Sequence, residues 1–235
     1  MAGASAQARY RSMRAEHRQE RVVARLALAG VAGSMTAGLF DWLPGLSVAI
    51  AMLLAHTLYL RTKPDPMTRW RRGAAAERRT GRRLSRLDPA YFHVLHDRAL
   101  PDGSRSNLDH LVVGITGVYA VASRRWPPLT RLRADERLWA GPRPLTRLLG
   151  MTKGAARTVA DRLADELGDQ VEVTAIIAVH GGRLPHAGIL FEGVTLHPAK
   201  RVHRLVQRQP AVFTTAQVAA IAAAAERILP PMIDV

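Results

Sequence analysis

Three side chains in this chain could act together on a phosphate, Glu77, Asp109 and Arg124, with Ala122 at a fourth position beside them. In the run NLDHLVVG (107–114) the side chains of a strand alternate, so Asp109 shares a face with Leu111 and Val113 while His110 points the other way. In GVYAVASRRW (117–126), Ala122 and Arg124 are two residues apart and share a face. Upstream, GAAAERRTGRRLSRLD places Ala74, Glu77, Gly81 and Leu84 at helical spacing, which puts Glu77 on the apolar side of a helix. A carboxylate on one strand, two positions on its hairpin partner and a glutamate on the inner face of the preceding helix can converge on one point. Metal-dependent phosphodiester chemistry uses that convergence: carboxylates hold a divalent cation, the cation polarises the phosphate and activates water, and a lysine completes the site. Ala122 brings no oxygen to such a site. Arg124 brings a permanent cation that can hold a phosphate but cannot act as a base. The chain has three lysines, Lys63, Lys153 and Lys200, none near this strand.

These residues also have structural roles open to them. Glu77 could pair with Arg124, Asp109 could cap the hairpin turn, and Asp97 could serve a turn at a strand end. His93, His96 and His110 read as packed or exposed strand histidines. Arg124-Arg125-Trp126 reads either as a phosphate-and-stacking patch or as a solvated strand end. No Ser/His/Asp arrangement, P-loop or G-x-G-x-x-G is present, so hydrolase triads and nucleotide binding have no support.

The elements that must position these residues follow from periodicity. A helix over 70–86 precedes YFHVLHD (91–97), which alternates like a strand. The turn-rich ALPDGSRS leads to strand 107–114, and Ile115-Thr116-Gly117 turns into strand 117–126, giving a hairpin whose strands are apolar on both faces and so belong inside a covered sheet. Residues 127–150 show no period and predict an extended excursion. A helix at 152–167, strands at 171–181 and 187–198, and a last helix announced by Thr214 with Gln217 as a capping box complete the order. The last helix should bury Val218, Ile221, Ala222, Ala225 and Ile228.

Composition sets outer limits. The 235 residues, 48% hydrophobic and 23% charged, suit one globular domain with an appendage. Zero cysteines exclude disulfides, thiolate metal sites and a cysteine nucleophile. The formal charge of +15 points to a polyanion, either nucleic acid or an anionic membrane face. That charge is uneven: residues 1–25 are net +4 and 61–86 net +8, flanking a segment whose single charged residue between Leu26 and Leu60 is Asp41. Two 19-residue apolar runs, Val22–Phe40 and Trp42–Leu60, joined at Pro44-Gly45, would each span roughly 28 Å as helices, close to the hydrocarbon thickness. A buried core pair is the alternative, and a cleaved signal peptide fits poorly because a second apolar run follows directly. The expected organisation is a basic segment 1–21, a transmembrane helical hairpin 22–60, a basic juxtamembrane linker 61–72 and a soluble domain 73–235. Basic flanks place both termini in the cytoplasm and set 61–86 against anionic headgroups.

The run Gly73-x3-Glu77-x3-Gly81 followed by YFHVLHDRALPDGSRSNLDHLVVGITGVYAVASRRW resembles the nuclease-related domain, NERD, a branch of the PD-(D/E)xK superfamily. The resemblance covers roughly 70–126 closely and extends more loosely to about 230. It implies a restriction-endonuclease-like mixed α/β sheet flanked by helices. It also implies catalytic roles for Glu77, Asp109 and Arg124, with Glu77 and Asp109 as the metal ligands. The family's (D/E)-x-K then falls on Ala122-Ser123-Arg124, so the expected Mg²⁺ would be held weakly if at all. Three functions follow as expectations: a membrane-anchored protein that binds nucleic acid or another phosphate-bearing partner and hydrolyses poorly; an active Mg²⁺-dependent DNase using Glu77 and Asp109; or a membrane-associated scaffold with no nucleic-acid role. No small-molecule cofactor is expected.

Overall fold

A computed structural model describes residues 4–62, 66–101 and 107–232, with side chains at 22–59, 73–101 and 107–232. The side chains of the basic segments 1–21 and 61–72, and most of the loop between 100 and 107, lie outside the described residues. The chain divides into two compact units, one of residues 6–72 and one built on residues 73–235.

The first unit contains helices α1 (Ala4–Leu39) and α2 (Trp42–Thr62). The stretches Val22–Leu39 and Trp42–Tyr59 are each long and apolar enough to cross a membrane, with mean hydropathies of 1.5 and 1.4. A covered core pair would be buried, yet only 11% and 6% of these stretches is, and Leu26, Val31, Phe40, Trp42 and Leu54 stand exposed. The side chain of Asp41 accepts a hydrogen bond from the Trp42 N–H at the start of α2, and Pro44 sits in the first turn, where its missing donor costs nothing. Small residues four apart on each helix, Gly33 and Ala37 on α1 and Gly45 and Ala49 on α2, set the crossing. A Cβ on Gly45 would lie 2.6 Å from the Ala37 Cβ and 2.7 Å from the Gly33 carbonyl, and a Cβ on Gly33 would lie 2.9 Å from the Ala49 Cβ. The backbones therefore meet at a distance only glycine allows.

The second unit is a mixed α/β layer structure. Its main sheet has the order β1-β2-β3-β7-β9-β8. Strands β1 (Phe92–Ala99), β2 (Asn107–Gly114) and β3 (Gly117–Arg125) form an antiparallel meander. Helix α4 (Thr146–Leu167) then returns the chain to β7 (Val173–His180), parallel to β3. Strand β9 (Val194–Pro198) is parallel to β7, and β8 (Ile189–Phe191) closes the edge antiparallel to it. The buried middles of β2 and β3 belong to this arrangement, since both strands are covered on two faces. One face packs Leu111, Val113, Val118 and Ile177 under α4 and α6 (Thr215–Ile228). The other packs Val112, Val121 and Ile176 with Leu84 of α3 (Pro66–Leu84) and Val202 and Val206 of α5 (Val202–Gln207). Thr214 caps α6: its hydroxyl accepts from the Gln217 N–H, and its own N–H donates to Gln217 Oε1.

Besides the short helix α5, which the sequence order did not include, three elements depart from the periodicity. Residues 127–150 hold a second small sheet, β4 (Leu132–Ala134), β5 (Leu138–Ala140) and β6 (Arg143–Pro144), instead of a plain excursion. Its strands are too short to show a period, but Leu132, Leu138 and Ala140 anchor it in the core. Helix α4 begins at Thr146, six residues before the expected start, because no side-chain cap marks its N-terminus. The stretch 187–198 is a hairpin, not one strand: Glu192 and Gly193 both take positive φ, 46° and 78°, the geometry of a tight primed turn. Glutamate at the first of those positions is a poor turn signal, which hid the break.

Leucine at position 45 would force α1 and α2 apart. Gly45→Leu should lower the thermal midpoint of the helical signal in detergent micelles, at a cost of about 1–3 kcal/mol. Gly30→Leu, at a position with nothing within 4 Å, should not. Equal effects of the two would contradict the close crossing.

Candidate functional site

The last paired residues of the β2–β3 hairpin toward its open end are His110 and Val121. Beyond them the strands part, and the N–H of Ser123 loses the carbonyl it would meet in a continued ladder. Asp109 supplies the replacement: its Oδ2 accepts a hydrogen bond from the Ser123 N–H at 2.6 Å. The same oxygen receives the Arg124 guanidinium, Nη1 to Oδ2 at 3.1 Å. That Nη1 also donates to the Ser123 carbonyl at 2.8 Å. Asp109 is buried, while the Arg124 side chain is 36% exposed, so the pair runs from the interior to a wall open to solvent.

Asp109, Ala122 and Arg124 line one recess of about 280 Å³ with Leu108, Thr152 and Met151, the last two from α4. Strand alternation thus places 122 and 124 beside Asp109 as the sequence pattern requires. Ala122 contributes a methyl group there and no oxygen. Burial raises the Asp109 carboxyl above its ordinary range, with Arg124 and the Ser123 hydrogen bond pulling the other way.

Glu77 sits half-buried on α3, whose sheet side also buries Ala74, Thr80 and Leu84. Its carboxyl is pushed up to about 7, first by burial, then by the negative charges of Asp109 and Asp97, against the pull of Arg124 and Arg78. The three carboxylates therefore share one electrostatic neighbourhood. Asp97 does not end its strand, since β1 continues to Ala99. It is buried, its backbone takes φ 53°, and its Oδ1 accepts from Asn107 Nδ2 at 3.0 Å. A non-glycine residue held in that conformation inside a strand is strained, and here it places an acid across from Asp109.

The two structural roles considered for the acids are not the ones observed. Among the described residues, Arg124 forms its ion pair with Asp109 and not with Glu77. Asp109 bonds to the neighbouring strand at the point where the hairpin opens, and does not cap the hairpin turn, which lies at the other end of β2.

On the opposite side of β2 and β3, His96 and His110, read from the sequence as packed or exposed strand histidines, join Ser123, Thr80 and His180, which the sequence did not single out. His96 and His110 meet Nδ1 to Nδ1 at 2.9 Å, His110 Nε2 approaches Ser123 Oγ at 3.4 Å, and that hydroxyl donates to Thr80 Oγ1 at 2.8 Å. Thr80 Oγ1 in turn meets His180 Nε2 at 2.8 Å. Burial drives His110 down to about 3 and His180 down to about 4, so both rings are neutral near pH 7. His93 is exposed, as expected of an outward strand position. The signal that could have found the network is the polar residue Thr80 beside the helix stripe of Ala74, Glu77, Gly81 and Leu84.

Could these residues hold the divalent cation of a phosphodiesterase? Among the described residues, no group of three or more His, Asp or Glu side chains is placed to hold a metal ion. One oxygen of Asp109 is already shared between a backbone N–H and a guanidinium, and Ala122 has nothing to add. The donor set does not fit a three-carboxylate cation site. It instead provides a charge-compensated aspartate, a half-exposed guanidinium and a protonatable glutamate.

The family model described as NERD, nuclease-related domain, matches residues 72–180, from within α3 to the end of β7. No curated protein and no solved structure matches the chain significantly.

The Glu77 shift has a sign that can be measured. Its folded-state pKa is raised, so the stability it confers is full below its ordinary value near 4.5 and is lost as pH rises through about 7. Glu77→Gln, neutral throughout, should match the wild type near pH 5 and exceed its unfolding free energy at pH 8 by about 1–2 kcal/mol. The same increment at both pH values would contradict the buried, acid-flanked setting of this carboxyl.

Proposed function

From the nuclease-related domain that residues 72–180 form, we propose a membrane-anchored nucleic-acid-binding protein in which that domain holds phosphodiester chains without cutting them efficiently. The observation that carries this reading is the 3.1 Å ion pair between Arg124 and Asp109. A guanidinium occupies the side of the aspartate that a cation would need. Because Arg stays protonated and presents a planar fork of donors, it can accept a phosphate but cannot generate hydroxide. Glu77, near neutrality, is a proton carrier with no metal-bound water to serve. Two exposed apolar helices preceding the domain support the anchor, since surfaces of that kind are stable only in an apolar surrounding. The basic segments on both sides of them support cytoplasmic placement of both ends.

The full chain in neutral detergent should bind DNA with an affinity that falls steeply with salt. It should not cleave plasmid with Mg²⁺ or Mn²⁺ above the metal-free background. The double change Ala122→Glu with Arg124→Lys, which rebuilds the (D/E)-x-K element, should introduce metal-dependent cleavage. Metal-dependent cleavage by the wild type that Asp109→Ala abolishes would replace this reading with that of an active DNase.

Anchoring is checked separately. The chain should stay with the membrane pellet through high-salt and alkaline washes, and recovery in the low-salt soluble fraction would refute the anchor.

A further inference from the structure

Eight of the folded domain's cations are gathered on the side of β3 away from the Asp109 recess. The C-terminal half of α3 and the turn after it present Arg79, Arg82, Arg83 and Arg86 to a cleft of about 1080 Å³. The facing walls add Arg125 from the end of β3, Arg183 from the loop after β7, and Lys200 and Arg201 from the turn after β9. Among the described residues that line this cleft, none is acidic, and none of these eight cations has a carboxylate partner among the described residues. Eight like charges around one concavity repel one another, and His180 on the cleft wall feels three of them. His180 is driven down first by burial and then by Arg79, Arg125 and Arg83.

The fold maintains this cleft at some cost. Gly181 and Gly182, at the end of β7, both take positive φ, 66° and 60°, and a Cβ on Gly181 would collide with the Trp126 carbonyl. The Trp126 N–H donates to the His180 carbonyl at 2.9 Å. This tight juncture holds Arg125 and Arg183 on the cleft wall. Strand alternation then separates neighbouring arginines: Arg124 enters the recess with Asp109, and Arg125 enters the cleft.

The geometry points to this arginine cleft as the docking site for the phosphodiester backbone of nucleic acid, distinct from the Asp109 recess. The inference rests on the nucleic-acid reading above and names the surface that performs it. A concave arrangement of cations from four separated chain segments can engage successive phosphates along a strand, and it neutralises several of them at once. A planar lipid surface reaches protruding basic residues more readily than those lining a concavity. The half-buried Trp126 ring on the cleft wall adds an aromatic edge beside the charges.

The test uses fluorescence anisotropy of labelled single-stranded and duplex DNA with the full chain in neutral detergent. Arg82 and Arg125 are both exposed, so Arg82→Gln/Arg125→Gln should fold normally by circular dichroism. This variant should lose roughly tenfold or more in affinity and reduce the slope of log affinity against log salt by about two. Arg157→Gln, an exposed arginine of α4 outside the cleft, removes surface charge elsewhere and should change affinity less than twofold. Wild-type binding that the cleft variant leaves intact overturns this inference alone. So does an equal loss in the Arg157 variant. Absence of any wild-type binding overturns the nucleic-acid reading with it. If the cleft variant instead loses binding to phosphoinositide-containing vesicles while its DNA affinity is unchanged, the cleft belongs to a membrane surface and the inference fails.

Discussion

An ionised carboxylate buried where two strands separate must be met by donors, or it will be protonated or expelled. Leaving such a charge uncompensated costs several kcal/mol even after relaxation. Asp109 meets this constraint with two donors: the Ser123 N–H that the opening hairpin frees, and the Arg124 guanidinium that strand alternation delivers to the same face. The hydrogen bond keeps the fork in register, and the guanidinium compensates the charge. The rest of the site adjusts to this arrangement. Glu77 is raised first by its burial and then by the two aspartates, against the pull of an Arg124 committed chiefly to Asp109, and its carboxyl rises to about 7.

A division of labour follows between the two faces of β3. On the α4 side, the Asp109 recess is small and nearly charge-balanced. On the α3 side lies a neutral network of histidines and hydroxyls, followed at the strand end by a cleft carrying eight uncompensated cations. Under the proposed function, this division serves polyanion binding over the activation of water: the β3 residues that in a metal nuclease would organise hydrolysis would here organise charge.

Much of this was legible in the sequence, for definable reasons. Alternation in 107–114 and 117–125 places Asp109, Ala122 and Arg124 on one face without reference to anything distant. The 3.6-residue period of α3 puts Glu77 toward the sheet, and the Thr214/Gln217 spacing marks the start of α6. What periodicity could not decide was partner choice. Arg124 could reach the helix glutamate or the neighbouring strand. In the antiparallel register Asp109 faces position 122, so Arg124 is its diagonal neighbour, close enough for a long side chain. Register settles the pairing, and register is a property of the whole sheet. Thr80, His96, Ser123 and His180 come from four elements and become a network only when α3 lies on the sheet. The arginine cleft was concealed in a similar way: Arg82, Arg125, Arg183 and Arg201 are separated by up to more than a hundred residues, and composition reported only their sum. The turn at Glu192-Gly193 and the start of α4 were missed because their residues carry no local signature of what they do.

The central claim, that Arg124 fills the cation's place beside Asp109, is tested most directly by titrating the full chain with Mn²⁺ in a calorimeter. The account predicts no saturable binding at millimolar metal. Saturable binding that disappears in Asp109→Asn would show that the aspartate is a metal ligand, and the ion pair would then be a resting arrangement that the cation displaces.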